Sequence, residues 1–247
     1  MKVSLIDYTG CGRGDDADYA AAILIFTKST RLEMKPDGFY EILKWPMERK
    51  LDELRYMANT IPSSWEFLHY TFMIEGVTRA FTHQLVRTRT ASFAQQTMRV
   101  LNVEGWQYKT GPSISASEAL TNRYVDGMDA IAAEYDALIQ GGAEIEDARG
   151  ILPTNILTNI VMGANLRTMA ELIHKRSSSR TQGEYRKVLE QLKSQVMSVH
   201  PWTQLFFDQD SFRAISDLEQ DILQSSRLTP DDRVRMIKLL DQIRSRR

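Results

Sequence analysis

The sequence has a single cysteine, Cys11. That excludes a disulfide framework and any metal site built on paired cysteines, and it fits a reducing compartment. A cysteine nucleophile is not expected, because Cys11 sits in a glycine loop outside every polar cluster. Net charge is nearly absent as well: 31 Lys and Arg against 32 Asp and Glu leave −1. Bulk nucleic-acid binding needs a strongly basic surface and is disfavoured. No apolar run is long enough to cross a membrane, and the opening MKVSLIDYTG lacks the apolar core of a signal peptide. The expected location is the cytoplasm. There is no low-complexity tract, so the 247 residues read as a folded globular protein, taken as one domain over 1–247.

The most informative absence is local. Between Gly76 and Val103 there is no Asp or Glu. Within that span, Gln84 to Arg99 (QLVRTRTASFAQQTMR) carries Arg87, Arg89 and Arg99 among amides, hydroxyls and small residues. A solvated helix face would interleave both signs. Guanidinium forks bind phosphates and carboxylates bidentately, and amides and hydroxyls can read the edge of a ring. The composition suits an anionic, planar ligand such as a nucleotide. Thr88 and Thr90 flank Arg89 with β-branched side chains, so an extended backbone is expected. Arg87 and Arg89 would then share one face, as would Thr97 and Arg99.

Along the rest of the chain, residues 2–7 alternate as an opening strand. Gly10, Gly12 and Gly14 follow with a spacing that misses the dinucleotide fingerprint, so a surface loop is expected. Residues 20–26 and 47–59 read as helices, 66–75 as a strand and 76–86 as a helix leading into the arginines. Ser115-x-x-Glu118 reads as a capping box opening a long helix with Leu120, Tyr124, Met128, Ile131, Tyr135 and Leu138 toward the core, ended by Gly141-Gly142. His69 and His83 lack helix-type partners for a metal, and no metal site is expected.

A second region, 149–186, is also informative. Residues 155–162 read as a buried strand, and Asn165 caps a helix with Leu166, Met169, Leu172 and Ile173 inward. Arg176, three serines, Arg180 and two possible capping boxes (Ser179-x-x-Gln182, Thr181-x-x-Glu184) precede a further helix with Val188, Leu189, Leu192 and Val196 inward. Such a helix start suits either simple capping or an anion site. In the tail, Thr229-Pro230-Asp231-Asp232 is a helix start.

These residues resemble the signature of the flavin-dependent thymidylate synthases. The family pattern is R-H-R, seven residues, S, and an Arg two positions on; Arg87-Thr88-Arg89, Thr97 and Arg99 stand in those places, with Thr for His and Thr for Ser. Ala148-Arg149-Gly150-Ile151-Leu152-Pro153 is similar to the family's A-R-x-x-L-P, Asn165-Leu166-Arg167 to its N-x-R, and Ser63-x-x-Glu66 to its S-x-x-E. Arg176 falls at the family's catalytic arginine, ahead of Gln182-x-Glu184-x-Arg186. Pro201-Trp202 resembles a later family pattern, so the resemblance runs from about Pro62 to Trp202.

The resemblance implies an α+β fold, a central, mostly antiparallel sheet flanked by long helices. It implies methylation of dUMP to dTMP, with methylenetetrahydrofolate as carbon donor, NADPH as reductant and FAD as cofactor. Gln84, Arg87, Gln95, Gln96, Thr97, Arg99, Arg149 and Arg176 would hold dUMP. Ser63, Glu66, Arg87, Thr88, Arg89, Asn165 and Arg167 would hold FAD. Arg176 would also stabilise negative charge on the uracil ring. The family implies a homotetramer with sites shared between subunits, and neither nucleic acid nor membrane as partner. Two alternatives stand beside this: a relative leaving another C5 substituent such as hydroxymethyl, motivated by Thr88, and a non-catalytic nucleotide- or RNA-binding module.

Overall fold

The structure is a computed structural model, and it describes residues 1–29, 35–60, 62–98, 107–176, 183–207, 218–225 and 228–245. Arg99 and the two capping boxes that rest on Ser179, Thr181 and Gln182 lie outside the described residues. The element order is β1 (Lys2–Tyr8), α1 (Asp16–Lys28), α2 (Pro36–Leu43), α3 (Met47–Thr60), a 3₁₀ segment (Pro62–Phe67), β2 (His69–Thr78), α4 (Arg79–Leu85) and β3 (Ser92–Gln95). There follow α5 (Pro112–Ser115), α6 (Glu118–Gln140), α7 (Ile145–Ala148), β4 (Leu157–Asn165), α8 (Leu166–Arg176), α9 (Gly183–Val199) and α10 (Gln204–Phe207). The described part of α11 is 218–224, and α12 is Pro230–Ser245.

The expected antiparallel sheet is present. Its strands lie in the order β1-β2-β4-β3, and every pairing is antiparallel. Alternation decides which face is buried: Tyr70, Phe72 and Ile74 of β2 and Ile160, Met162 and Ala164 of β4 point into one core with α1, α3, α8 and α9. The expected inward positions of α9 (Val188, Leu189, Leu192, Val196) are all buried there. At the edge, β1 does not leave its amides bare. Val3 N–H donates to Gln191 Oε1 at 3.1 Å and Leu5 N–H to Gln195 Oε1 at 3.3 Å. Two glutamines four apart on α9 thus cover one sheet edge.

Several expectations need correction. Glu66 and Phe67, read as the start of a strand, belong to the 3₁₀ turn that precedes it. The strand runs on past Gly76 to Thr78, through an irregular register between Ile74 and Val77. Gly76 sits there at φ 62, a left-handed conformation that glycine allows in a bulge, so it does not begin a helix. The cap of α6 is Ser117, which accepts from Leu120 N–H; Ser115 ends the separate short helix α5. The apolar stripe of α6 is not core-facing throughout. Met128 and Tyr135 are buried, but Leu120 and Leu138 are exposed, because α6 packs chiefly on α5, α7 and the turn after it, away from the sheet.

The glycine loop is a surface loop, as expected. Gly10, Gly12 and Gly14 all take positive φ. A side chain at Gly10 would meet Asp16 O at 2.9 Å. The loop delivers Asp15, Asp16 and Asp18 to the start of α1, a charge set that repels phosphate.

Candidate functional site

The arginine stretch begins where β2 ends. Thr78 caps α4, its Oγ1 accepting from Phe81 N–H at 3.1 Å. After α4 the chain turns twice: Arg87 N–H donates to Gln84 O at 3.2 Å, Thr88 N–H to Leu85 O at 3.0 Å and Ala91 N–H to Thr88 O at 3.1 Å. Arg87-Thr88-Arg89 is therefore a turn, and the extended reading fails. Three backbone bonds that close the helix end outweigh the weak strand preference of two threonines. Arg87 and Arg89 are exposed and have no carboxylate partner among the described residues. Thr168 Oγ1 donates to Thr90 O at 3.4 Å and lays the turn against α8.

Arg79 and Gln95 both make hydrogen bonds near the last residues of β2. Arg79 opens α4 and donates through Nη2 to Gln96 O at 2.9 Å, while its Nε is buried without a partner. Desolvation, and then the charge of Arg149, push the Arg79 pKa below the usual guanidinium range. Arg149 is steadied by its own segment, donating from Nε to Glu146 O at 3.0 Å and lying 3.5 Å from Glu146 Oε1. Gln95 donates to Thr82 Oγ1 at 2.8 Å, which ties β3 to α4. Arg79 was not among the residues expected from the sequence, although it lies inside the acid-free span that signalled the site.

Behind this corner Glu184 is buried. Thr78 Oγ1 donates to it at 2.6 Å, Thr78 N–H at 3.4 Å and Lys109 Nζ at 2.9 Å. The carboxylate anchors the start of α9 to the β2–α4 junction.

Four of the residues expected at the flavin, Ser63, Glu66, Asn165 and Arg167, lie at the other end of β2. Asn165 caps α8, its Oδ1 accepting from Thr168 N–H at 2.8 Å. Arg167 reaches Glu66 Oε1 at 2.6 Å and Glu171 Oε1 at 3.1 Å. The Glu66 bond is the chief reason that the Arg167 pKa is raised. Ser63 is exposed on the same 3₁₀ turn as Glu66.

Arg176 closes α8. Its guanidinium carbon lies 5.3 Å from the centroid of the Tyr185 ring, and no carboxylate pairs with it among the described residues. Gln84 is half-buried on α4, and Thr97 is exposed just past β3. No group of three His, Cys, Asp or Glu gathers as a metal site among the described residues. No described helix is long and apolar enough to cross a membrane.

The chain thus brings Glu66 to Arg167, and Arg79 to Gln96. It does not bring the two groups together. His69 pairs with Asn165 at one end of β2 and Thr78 with Leu157 at the other, a separation of about 30 Å along an extended strand.

A family model described as thymidylate synthase complementing protein matches residues 4–202. The flavin-dependent thymidylate synthase of Geobacter sulfurreducens is 36% identical over 204 residues, which cover 81% of this chain and 84% of the relative. That of Clostridium tetani is 29% identical over 219 residues, with the same two coverages of 81% and 84%. Among solved structures, the UMP/dUMP methylase PolB from Streptomyces cacaoi bound with 5-Br dUMP has a TM-score of 0.67 at 18% identity, covering 83% of this chain and 94% of that one. It shares the fold.

Proposed function

The chain belongs to the flavin-dependent thymidylate synthase family, and from that premise we propose that it methylates C5 of dUMP to give dTMP, with methylenetetrahydrofolate as carbon donor and NADPH as reductant. One observation carries the reading. Arg87, Arg89 and Arg176 have no carboxylate partner among the described residues, although the chain has as many acids as bases within one unit of charge. Unpaired guanidiniums on segments that the family model spans suit a phosphorylated substrate and a diphosphate-bearing cofactor.

The donor set fits FAD. Arg87 and Arg89 are free for its diphosphate, and Arg167, oriented by Glu66 and Glu171, offers a third cation. Ser63, Thr88 and Asn165 complete the flavin contacts. When bound, the flavin supplies the hydride that turns the transferred one-carbon unit into a methyl group.

The remaining work falls to the chain's own side chains. Arg79 and Arg149 take the dUMP phosphate, whose two negative charges relieve their mutual repulsion. Gln84, Gln95, Gln96, Thr97 and Arg99 hold the nucleotide and exclude other orientations. Arg176 faces the uracil ring and stabilises negative charge at N3 as C5 becomes nucleophilic. The 30 Å scale of β2 favours a homotetramer in which one subunit's flavin residues complete another's nucleotide corner. The cytoplasm remains the proposed location, with neither nucleic acid nor membrane as partner.

The test is the visible spectrum of the purified protein with FAD, then with dUMP, followed by the mass of the product from the full reaction mixture. A retained flavin spectrum that shifts with dUMP, and a methyl product, support the reading. A protein that retains no flavin overturns it. A second reading concerns the product alone: Thr88, where the family has His, leaves room for a hydroxymethyl group at C5, and the product mass separates the two.

A further inference from the structure

The last part of the chain lies outside the family match, which stops at residue 202. There, α11 and α12 form a hairpin with an apolar cluster of its own. Ile222, Ile237 and Leu240 are buried in it with Leu228 packed against them, and no residue of the main core belongs to it. The hairpin is locally well made. Thr229 and Asp232 bond each other at the start of α12, and Arg233 Nη2 donates to Ser225 O, just after α11, at 2.7 Å. Yet the described cluster holds only four side chains. Burial on that scale does not offset the entropy of ordering two helices. The apolar surface that would offset it is exposed. Leu218 and Leu223 on α11, and Val234, Met236 and Leu239 on α12, are between 41% and 54% accessible. Leu218 stands one turn before Ile222, Val234 one turn before Ile237 and Met236 one turn before Leu240, so the exposed set continues the buried stripe.

Charge selects what covers that surface. Over 218–224, α11 has Glu219 and Asp221 and no base, while 233–240 of α12 has Arg233, Arg235 and Lys238 and no acid. Asp221, Arg235 and Lys238 are all exposed. An acidic, apolar helix beside a basic, apolar one complements itself about a two-fold axis: α11 meets the α12 of a second copy, and symmetry repeats the contact. We propose that this hairpin pairs with the same hairpin of a second copy of the chain. The pair closes a four-helix bundle that joins the exposed apolar residues and sets Asp221 of one copy near Arg235 and Lys238 of the other. The acids of α11 oppose docking on an anionic lipid surface, and the mixed signs offer no uniform field to nucleic acid. The contact is made by residues past the family match. It is therefore separate from any contact that completes the nucleotide and flavin sites, and it does not rest on the functional reading.

Zero-length carbodiimide coupling in the full chain tests the pairing, because it joins a carboxylate to a lysine amine only where the two touch. The products are separated by size and digested, and the linked peptides are identified by mass. The expected result is a covalent dimer that contains a peptide joining Asp221 to Lys238. Lys238→Arg keeps the charge but offers no amine to the reagent, so that peptide should vanish while the protein still sediments as the parent does. The apolar part of the contact is read with the double variant Met236→Gln and Leu239→Gln. Both residues are exposed, so the melting temperature should hold. The yield of the linked peptide should fall about tenfold, as expected when contacts central to an interface are truncated. Three results overturn the proposal. One is a dimer fraction without the Asp221–Lys238 peptide. Another is that peptide in the monomer fraction alone, which makes it a contact within one copy. The third is a yield unmoved by the double variant, which makes the coupling a chance encounter of charged surfaces.

Discussion

Arg167 Nη1 lies 2.6 Å from Glu66 Oε1, across 101 residues of sequence. Both side chains are partly exposed, at 41% and 48%. An ion pair in that setting contributes less than about 1 kcal/mol to stability. Its worth is in orientation, because Glu171 grips the same guanidinium through Nε at 3.1 Å and leaves the fork a fixed direction. Glu66→Gln should leave thermal melting nearly unchanged and weaken FAD binding about three- to tenfold, read by flavin fluorescence titration. A loss of stability without a loss of flavin would place Glu66 in the scaffold alone.

Arg79 gives the opposite signature to an ordinary scaffold residue. Its Nε is buried without a partner and it faces the charge of Arg149. Arg79→Met removes an orphaned donor and a like-charge repulsion, which offset the loss of its exposed bond to Gln96 O, so the unliganded protein should melt close to the parent. The same change should weaken dUMP binding by about 1.5–3 kcal/mol, the worth of hydrogen bonds to a charged group. Calorimetric titration of dUMP into both proteins checks this, and the difference should shrink as salt is raised.

Glu184 is expected to behave as scaffold. Its side chain is 6% exposed and accepts from Thr78 and Lys109, so truncation strands both donors. Glu184→Ala should cost about 2–3 kcal/mol in urea unfolding, below the full loss for a buried pair because Lys109 is 40% exposed. Since Thr78 caps the helix that starts with Arg79, dUMP affinity should fall as well. Thr78→Val removes the 2.6 Å bond and the cap of α4 but leaves the Lys109 pair, and it should likewise lower both stability and dUMP affinity.

Much of this architecture is legible in the sequence because local rules and burial agree. Asn165 caps α8 as its side chain suggests, and Thr229 bonds Asp232 in both directions at the start of α12. The inward stripe of α9 follows helical spacing. The failures occur where two local signals compete. Ser115 and Ser117 are both good caps, and a two-residue difference decides between one helix and two. Gly76 looks like the end of a strand but is a bulge within one. The threonines around Arg89 prefer extended chain, yet the backbone bonds after α4 make a turn. In the site, the acid-free span marked the arginines without ranking them. Arg79 gains its role from the charge of Arg149, a residue distant in sequence that no local pattern pairs with it.

His200 is expected to make the fold sensitive to acid. It is fully buried, its Nδ1 is 2.9 Å from the Tyr70 hydroxyl, and it stacks on Trp202 with ring centroids 5.4 Å apart. Tyr70 stays a neutral donor because burial raises its pKa, so His200 accepts at Nδ1 as a neutral imidazole. Burial lowers the His200 pKa from 6.5 to about 4, with the Asp16 and Thr9 backbones and the Asp16 charge only partly opposing it. The unfolded chain therefore binds this proton more readily than the folded one. The stability owed to the neutral ring is fully present above pH 6.5 and is lost as the pH falls toward 4. The loss for this one group is of order 3 kcal/mol at most. Urea unfolding at stepped pH should show a decline through that window. His200→Phe should lower stability at neutral pH, because Tyr70 loses its acceptor, and should flatten the decline. A variant that keeps the full slope would assign the acid sensitivity to other groups.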